Sequence, residues 1–262
     1  MLTRYPGEDA RPLRVAVLCS HRAPGLLDLL RDARRGDLFE IVACVSSEHD
    51  FQDREAIALA GVPTFVHDIG DFYRSWNARR GDLELRKHYD AMIVQRLAIY
   101  DPDLIILCSY LYLVTRPLLE AYPQRVVNIH HSDLPQYPGL HAVRDAILAG
   151  AHETRATVHM VTRDLDAGPA MVRSWAFPVH PMVDDLRSWN ATQTLKAYVF
   201  AHQEWMIESA WAPLMTAAIE LFARGEVQTW GDELLISGST RALELEPAGR
   251  SLHSLRPLRS MR

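Results

Sequence analysis

The run Arg125-Val126-Val127-Asn128-Ile129-His130-His131-Ser132-Asp133-Leu134-Pro135 decides how this chain is read. Its first half is apolar and β-branched, as a buried strand requires, and its second half breaks into polar residues and a proline. Asn128 and His130 sit two apart where the strand should end. Side chains two apart on a strand point the same way. A carboxamide and an imidazole therefore project together from a C-terminal strand edge, where open α/β sheets place their ligands. Further on, Asp166 lies in Val161-Thr162-Arg163-Asp164-Leu165-Asp166-Ala167-Gly168-Pro169. A loop carboxylate brought to the same edge completes a set able to stabilise an oxyanion and to move a proton near neutral pH. Taken singly, Asn128 could merely end a strand and Asp166 merely sit in a turn; the ordered set is what carries the functional reading.

Outward from this run, short apolar stretches at 13–19, 39–45, 63–66, 104–108 and 126–129 read as strands. Helical spacing marks 26–35, 53–60, 83–100, 142–149 and the long amphipathic stretch 192–224. The alternating runs 156–162 and 170–178 are expected to pair, and 227–237 reads as a hairpin around Trp230-Gly231-Asp232. Strand alternating with helix gives an α/β fold: a Rossmann-like, mostly parallel sheet with helices on both faces. The domain should span 13–238, with an extension at 1–12 and a turn-rich basic tail at 239–262. Segments 71–86 and 183–192 look like insertions, and no internal repeat is visible.

The 262 residues carry a net charge near −5, and no basic stripe stands out, which argues against nucleic-acid binding. No apolar run reaches the ~20 residues of a membrane span. Cys19, Cys44 and Cys108 fall in apolar runs and read as buried thiols of a reducing compartment. A cytoplasmic enzyme acting on small molecules is expected, with a homodimer left open. His130 and His131 face opposite ways on a strand, so they make a poor chelate, and no metal is expected.

The order Asn128-x-His130, Leu134-Pro135, Pro138-Gly139, Thr157-x-His159 and Asp166-x-Gly168-Pro169 resembles the folate-dependent formyltransferases. Within them it is similar to the group that holds glycinamide ribonucleotide formyltransferase and formyltetrahydrofolate deformylase. The resemblance covers roughly 13 to 238. It implies the formyltransferase fold and formyl transfer from 10-formyltetrahydrofolate, with Asn128, His130 and Asp166 as the catalytic residues. It implies that the donor lies over Tyr110, Leu111, Tyr112, Leu113 and Val114, beside Val161 and Asp164. It further implies acceptor contacts from His21, Arg22, Gly25, Ser109, Gly139 and Glu204, and a supporting role for His159. Glycinamide ribonucleotide is the leading acceptor, and water (the deformylase reaction) or an amino sugar are the alternatives.

Three departures bear on that choice. Tyr112 stands where the formyltransferases of this group usually carry Arg, and His130-His131-Ser132 is similar to the deformylases. The turn Ser20-His21-Arg22-Ala23-Pro24-Gly25 lacks the glycine-rich cradle whose N–H groups hold a substrate phosphate. Pro24 removes one donor, so Arg22 or His21 would have to take the phosphate. Against the deformylases stands Tyr137-Pro138-Gly139-Leu140-His141, which resembles the ribonucleotide enzymes. A nucleotide-binding protein without catalysis is the rival of another class; the missing G-x-G-x-x-G counts against it.

Overall fold

The computed structural model describes residues 2–5, 11–230 and 233–247. The chain runs β1 (Leu2–Tyr5), β2 (Leu13–Cys19), α1 (Leu26–Leu30), β3 (Phe39–Ser46), α2 (Arg54–Leu59), β4 (Thr64–Val66), α3 (Ile69–Ser75), α4 (Leu83–Ala98) and β5 (Leu104–Leu107). Then come α5 (Arg116–Ala121), β6 (Val126–His130), α6 (Ala142–Leu148), β7 (Glu153–Thr154), β8 (Thr157–Met160), β9 (Ala170–Arg173) and β10 (Phe177–Pro178). It closes with α7 (Met182–Ser188), α8 (Thr192–Ala223), β11 (Val227–Trp230), β12 (Glu233–Ile236) and β13 (Leu243–Glu244).

Eight strands form one sheet in the order β13-β9-β8-β6-β5-β2-β3-β4. From β6 to β4 every pairing is parallel, whereas β8 runs antiparallel to both β6 and β9. This is the mostly parallel α/β sheet expected. The central strands are apolar throughout because both faces are covered. On one face Val15, Val17, Ile106, Val127 and Ile129 pack against α8 and α1; on the other Ala16, Leu18, Ile105, Leu107 and Val126 pack against α3, α4 and α5. Successive residues of β6 therefore face different helical layers. The chain leaves β2 for β3 and β4, then returns to β5 and β6 on the other side. The strand order thus switches between β2 and β5, and the crevice beyond their C-terminal ends is where such sheets bind ligands.

Two local expectations need correction. The first helix ends at Leu30 rather than 35, because Asp32 accepts from the Arg34 backbone N–H at 2.9 Å and turns the chain. The run 170–178 is two strands, since Ser174 breaks the alternation: its Oγ takes the Ala156 N–H at 2.8 Å. The segment 71–86 is built from the end of α3, a turn and the start of α4, both helices being capped by aspartates, Asp68 and Asp82. The pairing of β8 with β9 and the β11–β12 hairpin are as expected. The hairpin's Gly231 and Asp232, and the basic tail beyond 247, lie outside the described residues. β1 adds to the hairpin by pairing with β11, and β13 extends the main sheet beside β9.

Candidate active site

Strand register brings the central residues together. Asn128 on β6 lies directly opposite His159 on β8, and His130 lies opposite Thr157. Directly opposed residues are the closest side-chain neighbours in an antiparallel pair. Asn128 Nδ2 lies 3.1 Å from His159 Nε2, while His159 Nδ1 lies 3.1 Å from the Met160 carbonyl. The carbonyl can only accept, so Nδ1 carries the proton and Nε2 receives the Asn128 amide. Burial pushes the His159 pKa down to about 4, against the pull of Asp166 in the other direction. His159 is thus a neutral ring that fixes which way the Asn128 carboxamide points.

Asp166 closes the cluster from the loop after β8. Its two carboxylate oxygens lie 3.5 Å from His130 Nδ1 and 3.7 Å from His159 Nε2. The Gly139 N–H donates to Asp166 Oδ2 at 2.8 Å, and His130 Nε2 donates to the Tyr137 carbonyl at 3.2 Å. Asp166 itself has φ +50, a conformation that aspartate tolerates better than most residues. Two residues on, a Cβ at Gly168 would lie 1.8 Å from the Met160 carbonyl oxygen, so only glycine lets this loop close on β8. The expected trio therefore meets in one place, with His159 as its fourth member. Gly139, expected to touch substrate, has its N–H aimed at Asp166 instead. His131 turns to the opposite face, as alternation requires, and packs on Trp211 with ring centroids 4.6 Å apart. Burial pushes its pKa down to about 3.

The loop after β5 forms the next wall. Leu111 and Leu113 are about half exposed, while Tyr110, Tyr112 and Val114 are partly buried. The loop is tied down at both ends: Leu111 N–H donates to Ser20 Oγ at 3.1 Å, and Asp90 takes both the Thr115 N–H and hydroxyl at 2.6 Å. Ser109 starts it with φ +52. Val161 continues the wall through its N–H to the Val126 carbonyl at 2.8 Å. Asp164 is exposed and contributes a backbone carbonyl to the Thr162 hydroxyl, 3.2 Å away. An apolar surface with a few fixed polar groups suits a flat heteroaromatic ligand.

The first turn adjoins this loop through Ser20, and its charged side chains are paired with carboxylates. Both Nη atoms of Arg22 fork onto Glu204 of α8 at 2.6 Å. His21 Nδ1 lies 2.6 Å from Asp50, and the Ala23 N–H donates to Asp53 Oδ2 at 2.8 Å. Gly25 caps α1 at φ +75 and sits so close to α8 that a Cβ there would lie 2.6 Å from the Ala212 nitrogen. Arg22 and Glu204, both expected to touch substrate, are thus each other's partners.

Several side chains at the crevice were missed. Arg80 donates to the Tyr112 hydroxyl at 3.1 Å, the Arg86 guanidinium lies 4.8 Å from the Tyr112 ring centroid, and Tyr112 donates to Glu48. Only the α3–α4 packing carries Arg80 to the loop. Among the described residues two sets place metal-ligand atoms close together, His21/Glu48/Asp50 and His49/Asp68/Asp71. Spacing along the chain shows neither, and in each the histidine is the ion-pair partner of a carboxylate. No helix among the described residues is long and apolar enough to cross a membrane.

Comparison with known proteins agrees with this geometry. The chain is 30% identical over 209 residues to the trifunctional purine biosynthetic protein adenosine-3 of Drosophila pseudoobscura pseudoobscura, matching 79% of its own length but only 14% of that protein's. It is 30% identical over 156 residues to the formyltetrahydrofolate deformylase of Bacillus subtilis, covering 60% of this chain and 48% of that one. A solved glycinamide ribonucleotide transformylase 1 from Symbiobacterium toebii superposes with a TM-score of 0.63 at 30% identity, over 87% of this chain and 95% of its own. The formyl transferase family model matches residues 13–201, which include β2 to β6, His159, Asp166 and the start of α8. A match over that much of the chain places it in the formyl transferase family.

Proposed function

We propose that this protein transfers the formyl group of 10-formyltetrahydrofolate to an amine, with Asn128, His130 and Asp166 acting on one tetrahedral intermediate. The observation that carries the reading is the convergence of these three side chains with His159 at the end of β6. The folate supplies an activated formyl carbon. As the amine nitrogen bonds to it, the carbonyl oxygen becomes an oxyanion, and collapse breaks the bond to the folate nitrogen. Asn128, held by His159, has a second amide N–H for the oxyanion, and the ring N–H of His130 is a further donor. One such donor is worth ~10²–10³ in rate. Asp166 takes the proton that the attacking nitrogen loses, directly or through water, and the leaving folate nitrogen gains one. The exposed Leu111 and Leu113, with the Tyr110–Tyr112 pair, supply the apolar slot for the pterin.

Glycinamide ribonucleotide is the acceptor that the Symbiobacterium relative favours by name. A second reading, hydrolysis to formate, is favoured by a specific observation: the Arg22 and His21 side chains of the first turn are already held by carboxylates. Incubation with 10-formyltetrahydrofolate, with and without amines, tests both. Consumption that requires an amine supports transfer; formate released at full rate in water alone replaces it with the deformylase reading.

A further inference from the structure

The loop between β6 and α6 reaches the reacting cluster through its backbone. The Tyr137 carbonyl takes the His130 Nε2–H at 3.2 Å, and the Gly139 N–H donates to Asp166 Oδ2 at 2.8 Å. Both contacts require the loop to be held at one height, and side chains from two neighbouring strands hold it. Thr157 Oγ1 on β8 donates to the Ser132 carbonyl at 2.6 Å and accepts the Leu134 N–H at 3.3 Å. Arg173 on β9 donates through Nη2 to the Leu134 carbonyl at 2.9 Å, and its Nε lies 2.7 Å from Asp133 Oδ1. Within the loop the Ser132 hydroxyl donates to the Gln136 carbonyl at 2.7 Å, and the Gln136 N–H to the Asp133 carbonyl at 3.0 Å. Residues 132–136 are thereby one bonded turn, and displacing Leu134 carries Tyr137 and Gly139 with it.

Strand register explains the arrangement. His130 lies opposite Thr157, and Thr157 lies opposite Arg173, so one row across β6, β8 and β9 carries the histidine and both tethers. We infer that Arg173 is a positioning residue: by fixing Asp133 and Leu134 it sets His130 and Asp166 at their working separation. For its effect on rate the inference rests on the formyl-transfer reading above; its effect on the loop stands apart from that reading. A displacement of ~1 Å, imposed far from the chemistry, can cost ~10² in rate. Arginine suits the task because its planar fork offers fixed donors to a carbonyl and a carboxylate together. Arg155 supplies an internal comparison. Its side chain is 27% exposed against 25% for Arg173, and both pair with Glu244. Its other bonds, however, go to the Ser174 carbonyl and Glu153, so removing it strips similar ion pairs without loosening the loop.

The test compares Arg173→Met with Arg155→Met in the full chain, by steady-state kinetics and by amide hydrogen exchange followed by NMR. In Arg173→Met, kcat should fall at least about tenfold while the donor KM changes less than about twofold. Arg155→Met should stay within about twofold of the parent in both. The Gly139 amide should exchange at least about tenfold faster in Arg173→Met, with the Val158 amide unchanged. Arg173→Lys, which keeps the charge but not the fork, should recover part of each loss. Parent-like kcat or Gly139 exchange in Arg173→Met, or an equal kcat loss in Arg155→Met, overturns the inference. Should Arg173→Met not fold, Arg173→Lys must show both effects at smaller size, and parent-like values in it overturn the inference equally. Failure of the parent to consume 10-formyltetrahydrofolate with any acceptor breaks the formyl-transfer reading instead, and Gly139 exchange still decides whether Arg173 holds the loop.

Discussion

The end of β6 and the turn after β2 lie at the same sheet edge, yet they use charge in opposite ways. At β6 a carboxylate and two histidines stand 3.5 to 3.7 Å apart, close enough to interact but not locked into direct short bonds. At the first turn every partner is engaged at 2.6 to 2.8 Å. On the proposed function the first arrangement exchanges protons with a substrate; the second has its side chains already paired. A charged residue near a crevice is therefore no evidence of a ligand contact until its own partner is known.

The largest effects should fall on the first region. Asp166→Asn or His130→Ala should lower kcat by about 10³-fold or more with little change in donor affinity, measured by steady-state kinetics and folate-analogue titration. A parallel loss of folate affinity would mean that the cluster holds the donor instead of the intermediate.

Acid should separate the regions next. His67, His131 and His159 have pKa values pushed down to about 4, 3 and 4 by burial, whereas an unfolded histidine titrates near ~6.5. Above pH ~6.5 the folded and unfolded chains are alike in these neutral rings. As pH falls from ~6.5 toward 4 the unfolded chain binds protons that the folded one resists, so stability drops. His159 alone should contribute on the order of 3 kcal/mol to that loss. Urea titrations of the parent and His159→Phe should show a shallower pH dependence in the variant; identical slopes would deny the buried, neutral state.

The same His159→Phe variant keeps a ring but releases Asn128, so kcat should also fall by about 10- to 100-fold, with KM nearly constant. Arg22→Ala should have the smallest catalytic effect, under about threefold in kcat. Because it leaves the partly exposed Glu204 without its fork, it should lower stability by about 1–2 kcal/mol, readable by thermal unfolding. A large kcat loss in Arg22→Ala would erase the contrast between the two regions.

Much of the central region was legible because its spacing is local. Asn128 and His130 share a face through strand period alone, and the run from Asp166 to Gly168 marks a loop that must close tightly on β8. The mostly parallel sheet could be read from apolar runs alternating with helices. The first turn was not legible, because Arg22–Glu204 and Ala23–Asp53 join residues far apart in sequence. No periodicity encodes such a pair, and Arg22 alone looks like a ligand contact. Arg80 and Arg86 escaped for the same reason: helix packing, rather than chain proximity, brings them to Tyr112. The first helix was overextended because no glycine or proline follows Leu30 before Gly36, and the Asp32 side chain that turns the chain is not a recognisable stop.

Whether Asn128 and Asp166 act on one intermediate is tested most directly by a double-variant cycle. The kcat of Asn128→Ala, Asp166→Asn and the double variant would be measured with saturating 10-formyltetrahydrofolate and an accepted amine. Groups acting as a unit are not additive, so the double variant should be about as slow as the slower single variant. A double variant slowed by the full product of the two single losses would show independent roles and contradict the shared site.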